Sequence, residues 1–207
     1  PKILIADDSE INRALLKEIL DDGYDYLEAE DGAAAVELMR QRTDISLLLL
    51  DLMMPGMDGF EEELDRIVSL GLRGLKIHPD FQKLPIDDPS GIETYRAVAR
   101  RGLPVLFHMG DDRYDYSTPQ RLMNLLRQVP DLRVIAAHFG GWRAWELSYE
   151  NPLPENVLYD TSSTTPMIPR DFVLRMLDRF GPERFLFGSD FPMWEPVKMV
   201  EQFRGLG

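Results

Sequence analysis

The chain has 207 residues, no cysteine and a formal net charge of -13 at pH 7. This length allows one sizeable core or two small ones, and the absence of cysteine excludes disulfides and thiolate chemistry, as expected in the cytoplasm. The negative charge argues against nucleic acid and anionic membranes as partners. No segment reaches the roughly 18 consecutive apolar residues of a membrane span, and no signal peptide is expected.

Strand-like and helical patterns alternate along the whole chain. Apolar runs with strand character fall at residues 2–7, 24–29, 46–51, 72–78, 103–108, 132–138, 156–161 and 184–190. Helical patterns fall at residues 9–20, 32–42, 60–70, 91–101, 118–129, 142–149, 169–180 and 195–204. A strand followed by a helix, repeated eight times, predicts an α/β fold of the (β/α)8 TIM-barrel type. An open, doubly wound parallel sheet is the alternative, because both architectures bury their strands on two faces.

Two helix starts carry capping signals. Ser90 and Glu93 have the spacing of a capping box. In this motif each side chain accepts a hydrogen bond from the backbone N–H of the other residue. Thr118 followed by Pro119 predicts an N-cap with proline in the first turn.

The composition changes near residue 60. Of the 15 prolines, Pro1 and Pro55 alone precede this position, whereas all three histidines and all three tryptophans follow it. No linker rich in Gly, Ser or Pro marks the change. We therefore expect one hybrid domain over residues 1–207, built from segments 1–60 and 61–207 of different origin.

Carboxylates cluster in the first segment. Asp7 and Asp8 end the first predicted strand and Asp51 ends the third, so parallel strands would bring them to one edge. Grouped carboxylates raise one another's pKa unless a hard cation such as Mg²⁺ neutralises them. Alternatively, Asp7 and Asp8 only cap the following helix, where acids are favourable.

Three stretches of the first segment resemble the first half of a response-regulator receiver domain: KILIADDSEINRALLKEIL, EAEDGAAAVELM and LLLLDLMMPGMDGF. The resemblance implies a flavodoxin-like fragment in which Asp51 accepts phosphate and Asp7 and Asp8 hold Mg²⁺. That family also uses a Ser/Thr and a Lys at the ends of its fourth and fifth strands. The corresponding strand ends read KIHP and FHMG, so neither helper is at its expected position.

The second segment places histidines at strand ends. His78, His108 and His138 end the fourth, fifth and sixth predicted strands, and Asp190 ends the eighth. In a barrel, this end of the strands builds the active site. Imidazole and carboxylate together are typical ligands of a divalent metal.

The second segment resembles the amidohydrolase-related metal-dependent hydrolases and decarboxylases, which are TIM barrels. The matching stretches are GLKIHPDFQKLPIDDP, LPVLFHMGD, LRVIAAHFGGW, VLYDTSS and FLFGSDFPMW. The resemblance implies that His108 and Asp190 hold the metal, that His138 contacts metal or substrate, and that Asp190 handles a proton. Lys76 or His78 lies near a fourth-strand ligand position of some members. The family's first-strand His-x-His pair is missing.

Each segment thus carries part of a known site. Three receiver-type strands and five barrel-type strands add up to a closed barrel, so we interpret the chain as an engineered chimera without evolved catalysis. We expect a monomer that binds Zn²⁺, Mn²⁺ or Mg²⁺ weakly and has no small-molecule substrate. The candidate ligands are His108, His138, Asp190, Asp7, Asp8 and Asp51. Two alternatives stay open: a metal-dependent hydrolase or decarboxylase that uses Asp190 and His138, and a receiver that is phosphorylated on Asp51.

Overall fold

The computed structural model of the chain describes residues 2–20, 23–42, 44–50, 64–65, 68–69, 73–191 and 193–206. It divides into two compact units, Pro1–Leu70 and Gly71–Gly207. Asp51, the loop that follows it and most of the helix predicted at 60–70 lie outside the described residues. The single hybrid domain over residues 1–207 stays a prediction.

The first unit is a parallel three-stranded sheet with helices between its strands. Its elements are β1 (Lys2–Ala6), α1 (Glu10–Leu20), β2 (Asp25–Ala29), α2 (Gly32–Gln41) and β3 (Ile45–Leu50). β1 is the central strand, and its side chains from Ile3 to Ala6 are buried. A near-continuous apolar strand is what a parallel sheet covered on both faces requires.

The strand order of this sheet is β2-β1-β3. In a closed barrel, the first strand would instead lie between the second and the eighth. The described strands of the first unit therefore keep the flavodoxin-like order that the receiver resemblance implies.

The second unit contains five parallel strands in the order β4-β5-β6-β7-β8. The strands are β4 (Leu75–Ile77), β5 (Pro104–Phe107), β6 (Arg133–Ala136), β7 (Leu158–Asp160) and β8 (Phe185–Leu186). The helices are α3 (Pro79–Gln82), α4 (Ile92–Arg100), α5 (Pro119–Gln128), α6 (Trp145–Glu150), α7 (Arg170–Phe180) and α8 (Pro196–Arg204). Sequential order among neighbouring parallel strands is the order of a TIM-barrel wall.

The core of this unit lies between the strands and the apolar faces of the helices. Val105 and Phe107 of β5 are fully buried, as are Leu122 and Leu125 of α5. Residues 105 and 107 share one face of the strand, and residues 122 and 125 share one face of the helix. Burial of each such side chain contributes about 1.5–3 kcal/mol.

The predicted α/β class with parallel strands is confirmed, as is the division into three flavodoxin-like and five barrel-like strands. β8 is much shorter than the predicted run 184–190. The chain leaves the strand beyond Leu186, and Asp190 has a positive φ of 63° that extended backbone does not use.

One of the two capping predictions is confirmed. The Thr118 side chain accepts a hydrogen bond from the Arg121 N–H, with Pro119 in the first turn of α5. The capping box at Ser90 is wrong, because a 3-10 turn over Pro89–Gly91 precedes α4. Ser90 lies inside that turn and its hydroxyl bonds the Asp88 carboxylate.

No helix in the described part of the chain has the length and apolar character needed to cross a membrane.

Candidate metal centre

The strand register of the second unit brings the histidines to one edge of its sheet. Ile77 of β4 pairs with Phe107 of β5, and Phe107 pairs with Ala136 of β6. His78 and His108 directly follow these paired residues, and their rings stack with centroids 3.8 Å apart. Parallel, in-register strands thus convert separate sequence positions into one side-chain cluster.

The backbone around His78 explains why the strand stops there. Pro79 follows it, and a residue before proline is biased towards extended backbone and away from a helix. His78 accordingly has φ -122° and caps α3, its side chain accepting from the Phe81 N–H. The His78 ring lies between Phe81 and His108, with both ring centroids 3.8 Å away.

His78, Asp80 and His108 form a group whose candidate ligand atoms all lie within 4.8 Å of one another. Asp80 lies in the first turn of α3 and is 5% exposed, and His108 is 7% exposed. Two imidazoles and one carboxylate converging at this spacing match the donor set of a catalytic divalent-metal site.

Two buried atoms in this group have unmet bonding capacity. Neither Asp80 Oδ1 nor His108 Nε2 has a hydrogen-bond partner among the described residues. Asp80 Oδ2 accepts from the Ser117 hydroxyl at 2.6 Å and lies 3.9 Å from His108 Nε2, which is beyond hydrogen-bond range. Leaving a buried polar atom unpaired costs about 1–3 kcal/mol. A cation between carboxylate and imidazole would satisfy both atoms, so the residues present fit a metal.

The electrostatics favour neutral histidines. Desolvation lowers the pKa of His78 to about 3, and the nearby Lys76 charge acts in the same direction. Desolvation also lowers the pKa of His108, as do its histidine neighbours. Neutral imidazole is the form that binds metal ions. The pKa of Asp80 is raised by its burial, which a bound cation would reverse.

His138 lies next to His108 and is fully engaged by its surroundings. Its Nε2 lies 3.0 Å from His108 Nδ1. Its Nδ1 lies 3.2 Å from the carbonyl oxygen of Ser162 and 2.9 Å from the Ser162 hydroxyl. Desolvation lowers the pKa of His138, so this ring is also neutral near pH 7.

Asp160 at the end of β7 supports this arrangement. Its Oδ1 accepts from the His138 N–H at 2.9 Å, and from the Ser162 N–H at 3.0 Å and hydroxyl at 2.6 Å. The backbone of His138 has a positive φ of 59°, and the bond to Asp160 stabilises this turn.

Asp190 lies outside the three-residue group. Its Oδ2 accepts from the Ser163 hydroxyl at 2.5 Å, and the same hydroxyl oxygen accepts from the Trp194 indole at 3.0 Å. The Asp190 charge acts to raise the pKa of His138 and of Lys76, whose pKa desolvation lowers. Asp190 is therefore in the electrostatic neighbourhood of the site, and its role as a ligand stays a prediction.

The acidic candidates of the first segment belong to the other unit. Asp7 is buried, and its carboxylate accepts from the Ser9 N–H at 2.8 Å and from the Asn12 side chain at 3.3 Å. These bonds tie Asp7 to the start of α1, in agreement with the helix-capping alternative, whereas Asp8 is exposed. Asp51 lies outside the described residues, so a Mg²⁺ site with Asp7 and Asp8 stays a prediction.

Sequence reasoning missed three residues of this site. Asp80 lies two residues after His78, and the string HPD could have drawn attention to a second ligand on the same turn. Asp160 and Ser162 stand in the stretch YDTSS, which ends β7 at the same edge of the sheet as the histidines. Their side-chain bonds depend on the β6–β7 pairing, which no local pattern specifies.

The fold and the side-chain cluster define a class of protein: a parallel α/β protein with imidazole and carboxylate groups gathered at its strand ends. A model of the amidohydrolase family matches residues 25–206. The chain belongs to that family.

The comparisons also identify similar individual proteins. The transcriptional regulatory protein CpxR of Klebsiella pneumoniae is 36% identical over 121 residues, which cover 48% of this chain and 50% of CpxR. The chain spans about half the length of the curated relatives of this kind that it matches. This likeness supports the receiver-type character of the N-terminal part.

Solved structures support the barrel-like fold. A 2,6-dihydroxybenzoate decarboxylase in complex with 2,6-dihydroxybenzoate has a TM-score of 0.59 and 17% identity, covering 95% of this chain and 81% of its own. A dihydroxybenzoic acid decarboxylase from Polaromonas sp. JS666, with bound manganese and the inhibitor 2-nitroresorcinol, has a TM-score of 0.57 and 15% identity, covering 95% and 79%. At these identities the likeness concerns the fold alone.

Proposed function

We propose that the unit Gly71–Gly207 carries a divalent-metal centre and acts as an amidohydrolase-type hydrolase or decarboxylase on a small aromatic acid. The observation that carries this proposal is the pair of buried, unpartnered atoms, His108 Nε2 and Asp80 Oδ1. With His78, they offer a compact donor set. Family membership and the manganese-containing Polaromonas neighbour support a divalent ion.

His78, Asp80 and His108 would hold the ion. When bound, a divalent ion supplies Lewis-acid stabilisation of negative charge that develops on a substrate oxygen. The Phe81 ring stacks on that of His78, and the Trp142 ring lies 6.0 Å from that of His108, tilted by 58°. These aromatic surroundings suit an aromatic acid, and Lys76 provides a cation for its carboxylate.

Asp190 would serve as the proton-handling residue. It is exposed at the strand edge, and the Ser163 hydroxyl fixes one of its oxygens. The second oxygen can accept or deliver a proton at the substrate, a task that requires a carboxylate within hydrogen-bond reach.

The test is turnover of 2,6-dihydroxybenzoate in the presence of Mn²⁺, measured as carbon dioxide release. We expect turnover that EDTA abolishes and Mn²⁺ restores. Asp190→Asn should bind Mn²⁺ normally and lose turnover, whereas His108→Gln should lose both. Mn²⁺ binding without turnover of this acid or of an ester substrate would refute the catalytic part, and failure to bind would refute the whole proposal.

These comparisons support the hydrolase or decarboxylase alternative better than a chimera without catalysis. The engineered origin stays a hypothesis. The origin of the chain does not affect this proposal, because the chemistry depends on the side chains that are present.

A second proposal concerns the first unit. The likeness to CpxR and the β2-β1-β3 strand order support phosphoacceptance by Asp51. Acetyl phosphate would then transfer its phosphoryl group to the Asp51 carboxylate and release acetate. Phosphate incorporation into the parent but not into Asp51→Asn is the expected result, and equal incorporation into both would refute it.

A further inference from the structure

A continuous chain of hydrogen bonds runs from the end of β7 to the proposed metal ligand His108. It passes from Asp160 through Ser162 and His138 to His108. We propose that His138 is a positioning residue and not a metal ligand: it fixes the tautomer of His108 so that His108 Nε2 presents an unprotonated lone pair to the metal. The inference rests on the proposed metal centre, and it assigns roles to Asp160 and Ser162 that the family resemblance does not imply.

The direction of the chain is set at Asp160. Three donors point at its Oδ1: the His138 N–H, the Ser162 N–H and the Ser162 hydroxyl. The hydroxyl bond is the shortest of these at 2.6 Å. A serine hydroxyl has one proton, and here Asp160 receives it. The Ser162 hydroxyl therefore faces its next neighbour as an acceptor.

That next neighbour is Nδ1 of His138. This nitrogen contacts two oxygens of Ser162, the hydroxyl at 2.9 Å and the carbonyl at 3.2 Å. Both oxygens are acceptors, so Nδ1 of His138 must carry the proton. In a neutral imidazole, the other nitrogen then has the lone pair.

The lone pair of His138 faces His108. His138 Nε2 lies 3.0 Å from His108 Nδ1, so His108 must donate from Nδ1. His108 Nε2 is left without a proton, buried, and 3.9 Å from the Asp80 carboxylate. Two groups of lone pairs face each other there, an arrangement that a cation stabilises.

The same assignment disfavours direct metal coordination by His138. Its Nδ1 carries a proton that Ser162 accepts, and its Nε2 lone pair is used by His108. Binding a metal through His138 Nε2 would take the lone pair that accepts from His108 and leave the His108 Nδ1–H without this acceptor. Outer partners that orient a ligating histidine in this way are typical of metal sites, and their loss weakens metal affinity about 10–100-fold.

The direct test is the tautomeric state of the metal-free protein, read from two-bond ¹H–¹⁵N couplings in histidine-labelled samples at neutral pH. We expect His138 and His108 both to be protonated at Nδ1. The spectra are assigned with His78→Asn, His108→Gln and His138→Gln. Protonation of either His138 or His108 at Nε2 would overturn the inference.

The second test compares two variants of His138 by calorimetric titration with Mn²⁺. In His138→Gln, the side-chain oxygen replaces Nε2 as the acceptor for His108, so affinity should fall by less than about fivefold. In His138→Leu the acceptor is lost, and affinity should fall about 10–100-fold. Both variants place a side chain at the same backbone position, where His138 has a positive φ of 59°, so we expect a matched backbone cost. Circular dichroism checks that both variants fold.

The outcomes distinguish failure of the role proposed for His138 from failure of the proposed metal centre. Equal loss of Mn²⁺ affinity in His138→Gln and His138→Leu would show that His138 is a ligand and overturn the inference, leaving the metal centre in place. Absence of Mn²⁺ binding to the parent would overturn the proposed function and with it the purpose of the tautomer chain, even if both rings were protonated at Nδ1.

Discussion

Asp80→Asn separates the cost of the metal-free site from its benefit when a metal is bound. In the metal-free protein, the Asp80 carboxylate is 5% exposed, and its Oδ1 lacks a partner among the described residues. A neutral amide of nearly the same shape avoids burying this charge. We therefore expect the variant to be more stable than the parent by about 1–2 kcal/mol at pH 7 without metal.

The pH dependence of this gain has a definite sign. Burial raises the pKa of Asp80 in the folded chain, so the folded state binds its proton more tightly than the unfolded state. The parent is therefore not penalised at a pH below the unfolded pKa of about 3.9, and the penalty grows as the pH rises through the folded pKa. The stability difference between Asp80→Asn and the parent should therefore be larger at pH 7 than near pH 4.

Metal reverses the comparison. With Mn²⁺ at 100 times its Kd, the parent gains about 2.7 kcal/mol of stability. If loss of the Asp80 carboxylate weakens binding about 100-fold, the variant gains only about 0.4 kcal/mol under the same conditions. Urea unfolding followed by tryptophan fluorescence measures this, because all three tryptophans lie beyond residue 71.

The control is Ser117→Ala, which removes the hydroxyl that bonds Asp80 Oδ2. It should destabilise the metal-free protein by about 1 kcal/mol and keep the Mn²⁺ response. A lower stability of Asp80→Asn than of the parent without metal, or equal stabilisation of both by Mn²⁺, would contradict a buried, metal-binding carboxylate at Asp80.

Three further substitutions, each with a matched control variant, test the packing and the N-cap of α2. Gly110→Ala should destabilise the second unit by several kcal/mol in urea unfolding, because a Cβ there would lie 2.7 Å from the Gly141 backbone. The control is Gly102→Ala: Gly102 has a similar positive φ but open space around it, so this change should cost only about 1 kcal/mol. Phe107→Ala should cost about 3–5 kcal/mol because Phe107 is fully buried, whereas the exposed Phe187→Ala should change the unfolding free energy little; equal effects would contradict the assigned core. Asp31→Ala removes the side-chain bond to the Ala34 N–H that caps α2, and it should speed amide exchange in that helix about fivefold. Unchanged exchange would contradict the capping role, as would an equal effect of the control Asp31→Asn.

Periodicity and strand-end chemistry predicted much of the fold. The apolar runs that end at His78, His108 and His138 placed three strands correctly, because buried parallel strands need near-continuous apolar sequence. Their order along the chain also gave the order in the sheet, since sequential parallel strands tend to be neighbours. The length of β8 was not predictable, because its pairing with β7 ends at Asp160 and Leu186 and hydrophobicity does not specify where that pairing stops.

The composition of the site was harder to predict. The histidines are rare and fall at strand ends, so they were visible. Asp80 was hidden because acids are frequent in this chain and because its hydrogen-bond partner, Ser117, is 37 residues away. The role of His138 depends on hydrogen bonds to Ser162 across two strands, and sequence spacing carries no information about which nitrogen bears the proton.

Anomalous diffraction from crystals soaked in Mn²⁺ tests the central claim most directly. We predict a peak within coordination distance of His78, Asp80 and His108, with the His138–His108 hydrogen bond intact. A peak coordinated by His138 and Asp190, with Asp80 not engaged, would contradict the account. The absence of any peak in the second unit after soaking at a saturating Mn²⁺ concentration would also contradict it.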